Sequence, residues 1–76
     1  MTTEQVALIV RESIRDAARH YGCKQSETYD PRTREASLAR NMAIRLSHSQ
    51  GISRGVLCVA FRRGRDTIGR AIIQER

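Results

Sequence analysis

Arginine is the residue type in this sequence whose number and placement could support a chemical role. The chain carries 14 lysine and arginine residues against 8 aspartate and glutamate residues, and among the 14 only Lys24 is not an arginine. A guanidinium group forms paired hydrogen bonds with phosphate or guanine, which an ammonium group does less well. The composition therefore favours a partner that carries phosphate groups.

The positive charge is concentrated in one part of the chain. Residues 1–30 contain four basic and five acidic residues, whereas residues 31–70 contain nine arginines and only two acids, Glu35 and Asp66. A near-neutral segment followed by a strongly basic one is typical of nucleic-acid-binding domains. A charged surface that serves only solubility would give the same distribution.

Other kinds of site have little support in the sequence. His20 with Cys23, and His48 with Cys58, do not have the paired spacing of a zinc site. The glycines are scattered rather than gathered into a phosphate-binding loop, and no serine lies in a G-x-S-x-G sequence. We therefore expect no enzymatic activity, no catalytic residue, no metal site and no cofactor.

The few aromatic residues bear on which nucleic acid is expected. Proteins that bind single strands stack the bases on exposed aromatic rings. This chain has only Tyr21, Tyr29 and Phe61, and Phe61 lies in an apolar stretch. Double-stranded DNA is therefore the expected partner.

The 76 residues suffice for one small domain, which we expect to span 1–76. A domain of this size buries about 60% of its unfolded surface, which leaves little room for an enclosed active site. The two cysteines are too few for a disulfide framework, and neither a signal peptide nor a bilayer-length apolar run is visible. We expect a cytoplasmic, nucleoid-associated protein without a membrane partner. The absence of a coiled-coil heptad favours a monomer, although a palindromic site would need a dimer.

Apolar residues recur at spacings of three and four, which predicts helices and no strands. We expect a helix at about 3–21, a loop or short helical turn at 22–33, a helix at about 34–48 and two short helices within about 53–75. Thr2 with Gln5 predicts a capping box at the start of the first helix, and Gly22 predicts its end. The predicted fold class is all-α, a compact bundle of about four helices.

The caps and inward faces of the later helices are predicted in the same way. Ser53 and Asp66 are expected to cap the two short helices, and Gly64 between them is free to adopt a positive φ. The apolar face expected for the helix at 34–48 consists of Leu38, Ala39, Met42, Ala43 and Leu46. The apolar members of the short helix after Ser53 are Val56, Leu57, Val59, Ala60 and Phe61. On the last helix, the side chains expected to face inward are Ile68, Ala71, Ile72 and Ile73.

Two short helices joined by a glycine-containing turn are the arrangement of a helix-turn-helix. In that motif the second helix presents its first residues to base edges in the major groove, and the turn contacts the DNA backbone. The basic residues of the turn region and the polar residues expected on the exposed face of the last helix are Arg62, Arg63, Arg65, Thr67, Arg70 and Gln74. A helical hairpin whose arginines are merely solvated fits the same pattern.

The second half of the chain also resembles a known family. The run Arg32–Leu46, the pairs Ile52-Ser53 and Ala60-Phe61, and the run Arg65–Thr67 are similar to the C-terminal DNA-binding domain of the bacterial replication initiator DnaA. That domain has an R-x-R element, an A-R-Q-x-A-M-x-L helix, an S-x-x-x-I-G-x-x-F helix and an R-D-H-T-T-V start to its recognition helix. The resemblance covers roughly residues 10–74 and implies an all-α helix-turn-helix bundle of the DnaA C-terminal or Trp-repressor kind.

The resemblance implies roles for the positions that match. Arg32 falls where the family inserts an arginine into the minor groove, and Arg34 and Arg40 fall at positions associated with the backbone and the groove edge. The run Arg65–Thr67 falls where the recognition helix begins to read bases. Together with the turn arginines and Arg70, the expected DNA-binding residues are Arg32, Arg34, Arg40, Arg62, Arg63, Arg65, Asp66, Thr67 and Arg70.

The sequence departs from the family around the recognition helix. The histidine after the R-D pair is missing, Ile68 stands at the second threonine, and Gly69 replaces a hydrophobic residue. One extra residue lies between Phe61 and the R-D pair. The initiator's Walker A motif is absent from the chain. The resemblance therefore carries over the fold and DNA binding rather than the family's sequence preference.

These patterns together predict a sequence-specific double-stranded DNA-binding protein of a bacterium or phage. It would regulate replication initiation or transcription. A second class of function fits the same charges, namely a protein-interaction module that binds an acidic partner or the replication initiator itself.

Overall fold

The computed structural model describes residues 1–73, and this range folds into four α-helices and one 3-10 helix without a β-strand. The helices are α1 (Thr3–Tyr21), α2 (Arg34–Ser49), α3 (Arg54–Phe61) and α4 (Arg65–Ile73), and the 3-10 helix is Gln25–Thr28. The predicted all-α bundle of about four helices is confirmed. The exposed position predicted for Gln74 and the end of the last predicted helix lie outside the described residues.

Local caps explain where α1 begins and ends. The backbone N–H of Gln5 donates to Thr2 Oγ1 at 3.1 Å, and the N–H of Thr2 donates to Gln5 Oε1 at 2.7 Å. This reciprocal pair is the predicted capping box. Gly22 follows the helix with φ 69°, the left-handed conformation in which glycine carries no side-chain penalty. Both predicted ends of α1 are confirmed.

The connection between α1 and α2 contains a short helical turn, one of the two possibilities that the sequence allowed. Its last residue, Thr28, is buried, and the hydroxyl donates to the Gln25 carbonyl at 2.7 Å. The chain then leads to Thr33, whose hydroxyl accepts the Ala36 N–H at 3.1 Å and caps α2. The buried hydroxyl of Thr28 is thus satisfied locally, as a polar group away from water requires.

Alanine rather than leucine forms the buried side of α2. Ala36, Ala39 and Ala43 are fully buried, at spacings of three and four, and Ile44 is buried beside them. The prediction that Leu38 and Leu46 face the core is wrong in its emphasis, since both are only half-buried, whereas the predicted Met42 packs against the core. Small side chains let neighbouring helices approach α2 closely, whereas leucines at the contact would hold them apart.

The apolar residues of α3 divide between the core and the surface. Ser53 caps the helix as predicted, accepting the Val56 N–H. Leu57 and Phe61 are fully buried, four residues apart on one face. Val56 and Val59 are 41% and 80% exposed. Only one side of the predicted apolar stretch therefore faces the core.

The turn between α3 and α4 differs from its prediction at two residues. Arg62, and not Gly64, has the positive φ, at 55°. The N–H groups of Arg62 and Arg63 donate to the last carbonyls of α3, which fixes the left-handed residue directly after the helix. The predicted cap Asp66 lies inside the first turn of α4, because the Gly64 carbonyl already accepts the first helical hydrogen bond, from Ile68 N–H at 3.2 Å.

Substitutions at the two isoleucines of α4 that differ most in burial can test how this helix packs on the core. Ile68 is fully buried, whereas Ile73, which the sequence places inward, is 74% exposed. Ile68→Ala should lower the free energy of unfolding by about 2–5 kcal/mol because it leaves a cavity. Ile73→Ala should change it by no more than about 0.5 kcal/mol. Urea unfolding followed by circular dichroism measures both, and similar losses for the two variants would contradict the packing of α4.

Candidate nucleic-acid interface

A cleft between α2 and α4 brings together residues that are far apart in the sequence. Arg40 and Asn41 of α2 and Thr67, Arg70 and Ile73 of α4 line an open depression of about 450 Å³, named here the α2–α4 cleft. Three of the sequence-predicted site residues, Arg40, Thr67 and Arg70, therefore share one site. Arg70 is exposed, whereas Thr67 is half-buried at the side of the cleft.

Arg40 is held in place inside this cleft. Its Nε and Nη2 atoms donate to the Asn41 side-chain oxygen at 3.3 and 3.2 Å. Burial lowers the pKa of the Arg40 guanidinium below its usual value, and the nearby positive charge of Arg63 lowers it further. A half-buried cation beside another cation gains energy when an anion approaches. The surroundings of Arg40 thus favour a phosphate or another anionic group.

Arg63 has a packing role that the sequence did not reveal. Its Nη2 atom donates to the Tyr29 carbonyl at 3.1 Å, across 34 residues of sequence. Its Nε atom is buried and has no hydrogen-bond partner among residues 1–73. The side chain is half-buried and ties the α3–α4 turn to the segment after the 3-10 helix. Arg63 therefore fixes the position of the turn and is less available to a ligand than a solvated turn arginine.

Arg45 makes a second long-range tie that the sequence analysis missed. Its Nη1 atom donates to the Ala71 carbonyl at 3.2 Å, which joins α2 to the last part of α4. A cation near the C-terminal end of a helix also interacts favourably with the helix dipole. The only sequence feature that points to this tie is that Arg45 follows Asn41 by four residues. The two residues therefore lie on the same side of α2, the side that faces the cleft.

The remaining predicted arginines lie at the ends of α2, α3 and α4 and are exposed. Arg34 and Arg65 are the first residues of α2 and α4, and Arg62 follows α3 directly. Within residues 1–73 the ion pairs are Arg15–Asp16 at 3.6 Å and Arg32–Asp30 at 3.5 Å. The exposed arginines Arg34, Arg62, Arg65 and Arg70 thus have no carboxylate partner in the described part of the chain.

Arg32 lies in the segment that leads into α2. Its side chain is 85% exposed, and that of its partner Asp30 is 74% exposed. Exposed ion pairs contribute about 0–1 kcal/mol, so this pair restrains Arg32 weakly. The guanidinium can leave Asp30 for a stronger anion at little cost.

Other chemical groups do not gather into a site. The structure brings no three histidine, cysteine, aspartate or glutamate side chains of residues 1–73 close enough to hold a metal ion. Cys23 and Cys58 are free and half-buried. Burial and then the charge of Glu27 raise the pKa of the Cys23 thiol, which disfavours the reactive thiolate. No helix among the described residues has the length and hydropathy to cross a membrane.

Comparison with known proteins does not identify the chain. No family model, no curated protein and no solved structure matches it. The resemblance to the DnaA domain stays a prediction from the residues that carry it.

The tie between Arg45 and the Ala71 carbonyl can be tested directly. Arg45→Ala should lower the free energy of unfolding by about 1 kcal/mol, since a partly buried carbonyl loses its donor. Amide hydrogen exchange should become faster in α4 and stay unchanged in α1. Arg65→Ala is the matched control, because this exposed arginine makes no described contact. Unchanged exchange in α4 of Arg45→Ala would show that the hydrogen bond does not hold this helix.

Proposed function

We propose that this chain binds double-stranded DNA through a surface formed by the N-terminal part of α2, the α3–α4 turn and α4. This surface, named here the basic face, consists of Arg34, Arg40, Arg62, Arg65 and Arg70. The observation that carries the proposal is the α2–α4 cleft, which Arg40 and Arg70 both line and where neither forms an ion pair with a described carboxylate. Phosphate contacts of this kind supply most of the affinity of DNA-binding proteins.

In this proposal α3 and α4 act as a helix-turn-helix, with α4 as the recognition helix. The exposed side of α4 carries Asp66, Arg70 and Ile73 at spacings of four and three, so they follow one face. The major groove accepts an α-helix, and there arginine pairs with guanine, aspartate accepts from cytosine and apolar groups contact the thymine methyl. The three side chains thus have complementary groups on bases.

Thr67 and Arg32, which the sequence also predicts to bind DNA, have other roles in this proposal. The half-buried Thr67 lies beside Arg40 and Asn41 in the cleft, which suits a phosphate at the groove edge better than a base. Arg32 lies directly before the cap of α2, and its side chain is exposed. An arm of this kind can place arginine in an adjacent minor groove, which is narrow and strongly negative in A·T-rich DNA.

The size of the domain limits the DNA site. Its longest dimension is 31 Å, which corresponds to about nine base pairs at about 3.4 Å per base pair. One copy therefore covers about one turn of duplex. A site of this length is sufficient for a regulator of replication initiation or transcription, the two roles that the resemblance suggests. Selection of bound duplexes from a random pool distinguishes them, because the initiator's own box would emerge only for the first.

The affinity for duplex DNA should fall steeply with salt. If the four arginines of the basic face other than Arg70 contact phosphates, the slope of log K against log salt concentration should be about −4. Fluorescence anisotropy with a labelled duplex measures the slope. Polyglutamate is the control competitor, since it offers negative charge without groove geometry. Equal competition by polyglutamate and unlabelled duplex would favour an acidic protein partner instead, and a flat salt response would contradict phosphate binding.

Arg70 and Arg32 should differ in how they affect specificity. Arg70→Ala should remove about 1–3 kcal/mol of discrimination at one base pair, while binding to a scrambled duplex changes little. Arg32→Ala should instead reduce the preference for A·T-rich flanking sequence. Arg19→Ala, an exposed arginine of α1, is the matched control and should change neither. Equal losses on selected and scrambled duplexes for Arg70→Ala would place the recognition surface elsewhere.

A further inference from the structure

An apolar groove lies between α1 and α3, away from the basic face. It has a volume of about 570 Å³, and its lining includes Val6, Ala7, Tyr29, Val56, Val59 and Ala60. The groove exists because α1 packs mainly on α2 and the 3-10 helix, whereas α3 packs on α2 and α4. No residue of the basic face lines it.

The exposed side chains of this groove are unusual for so small a domain. Val59 is 80% exposed, and Tyr29 and Val56 are 43% and 41% exposed. A chain of this length has little apolar surface to bury, so leaving three large side chains together at one groove has a cost in stability. Covering these side chains would remove apolar surface from water, which favours association.

Charged residues on the same side of α1 as the groove-lining Ala7 indicate what covers the groove. Glu4, Ala7 and Arg11 are three and four residues apart, so they follow one side of α1, and all three are exposed. Glu4 and Arg11 are separated by about 10 Å along the helix axis, and no ion pair joins them. The stripe thus has opposite charges at its two ends and a small residue in the middle.

Such a stripe is complementary to itself when two copies meet antiparallel. A two-fold axis near Ala7 places Glu4 of each copy beside Arg11 of the other. The small side chain of Ala7 lets the two helices approach closely at the axis. Two-fold symmetric interfaces use the same patch on both subunits, and residues then pair reciprocally. A different partner would need to supply this charge order on its own.

We propose that the α1–α3 groove is a symmetric interface between two copies of this chain, which pair α1 with α1 antiparallel and cover Val56 and Val59. The proposal does not depend on DNA binding, because the groove and the basic face share no residue. It replaces the monomer favoured by the absence of a heptad, since one short antiparallel contact needs no sustained repeat. In the dimer the basic faces remain uncovered.

Sedimentation equilibrium of the whole chain without DNA tests the dimer. At roughly 100 µM protein, a micromolar dimer should sediment at twice the chain mass of 8.6 kDa. Glu4→Arg and Arg11→Glu should each raise the dissociation constant at least tenfold, because each places like charges opposite one another. The double variant Glu4→Arg with Arg11→Glu should restore the dimer. Any loss of helix stability from Glu4→Arg is not restored by the second change, so recovery reports the contact between copies.

A second pair of variants tests the apolar part of the interface. Val59→Glu should also weaken the dimer at least tenfold, whereas Ile73→Glu, which changes a similarly exposed residue of α4, should leave it unchanged. Both side chains are mostly exposed, and circular dichroism checks that the fold is retained. A chain that stays monomeric at roughly 100 µM, a double variant as weak as its single variants, or equal effects of Val59→Glu and Ile73→Glu would each overturn the proposal.

Discussion

The packing of small side chains on α2 is the constraint on which the rest of the structure depends. Each of the other elements packs on this helix, from α1 and the 3-10 helix to α3 and α4. Ala36, Ala39 and Ala43 are fully buried there and let the neighbouring helices approach closely. Larger side chains of the other helices, such as Phe61 and Ile68, belong to the same buried cluster as Ala39 and Ala43. In a chain with so little surface to bury, this central helix is what joins the elements into one core.

The same helix sets the positions of the arginines. Arg45 extends from α2 to the Ala71 carbonyl, and Arg63 extends from the α3–α4 turn to the Tyr29 carbonyl. These two arginines act as ties that fix α4 and the turn. Arg40 is intermediate between these ties and the exposed arginines of the basic face. It is half-buried, but it lines the open cleft together with Arg70. Rigid elements that hold cations in place reduce the entropy lost when a ligand binds.

Features that depend on neighbouring residues could be predicted from the sequence. The caps at Thr2, Gly22 and Ser53 are examples, because each partner lies within a few residues of its cap. The long-range ties of Arg45 and Arg63 could not, since they span 26 and 34 residues and no local pattern encodes them.

The errors in the predicted core have a related cause. Hydrophobic periodicity favours large side chains, so it selected Leu38 and Leu46, whereas close helix packing uses the alanines. The same reasoning placed Ile73 inward, although its side chain is 74% exposed. Of the candidate site, the basic turn and helix starts could be predicted from charge and spacing. The cleft that joins Arg40 to Arg70 depends on how α4 docks on α2, which only the structure provides.

The proposed division of the molecule into a basic face and an apolar groove leads to one direct measurement. Titration of the labelled protein with a duplex of about ten base pairs, followed by backbone amide NMR shifts, locates the DNA-binding surface. We expect the largest shifts in residues 62–70 and in the first turns of α2. We expect only small shifts in the exposed residues of α1. Shifts concentrated in α1, or no shifts at a duplex excess in low salt, would contradict it.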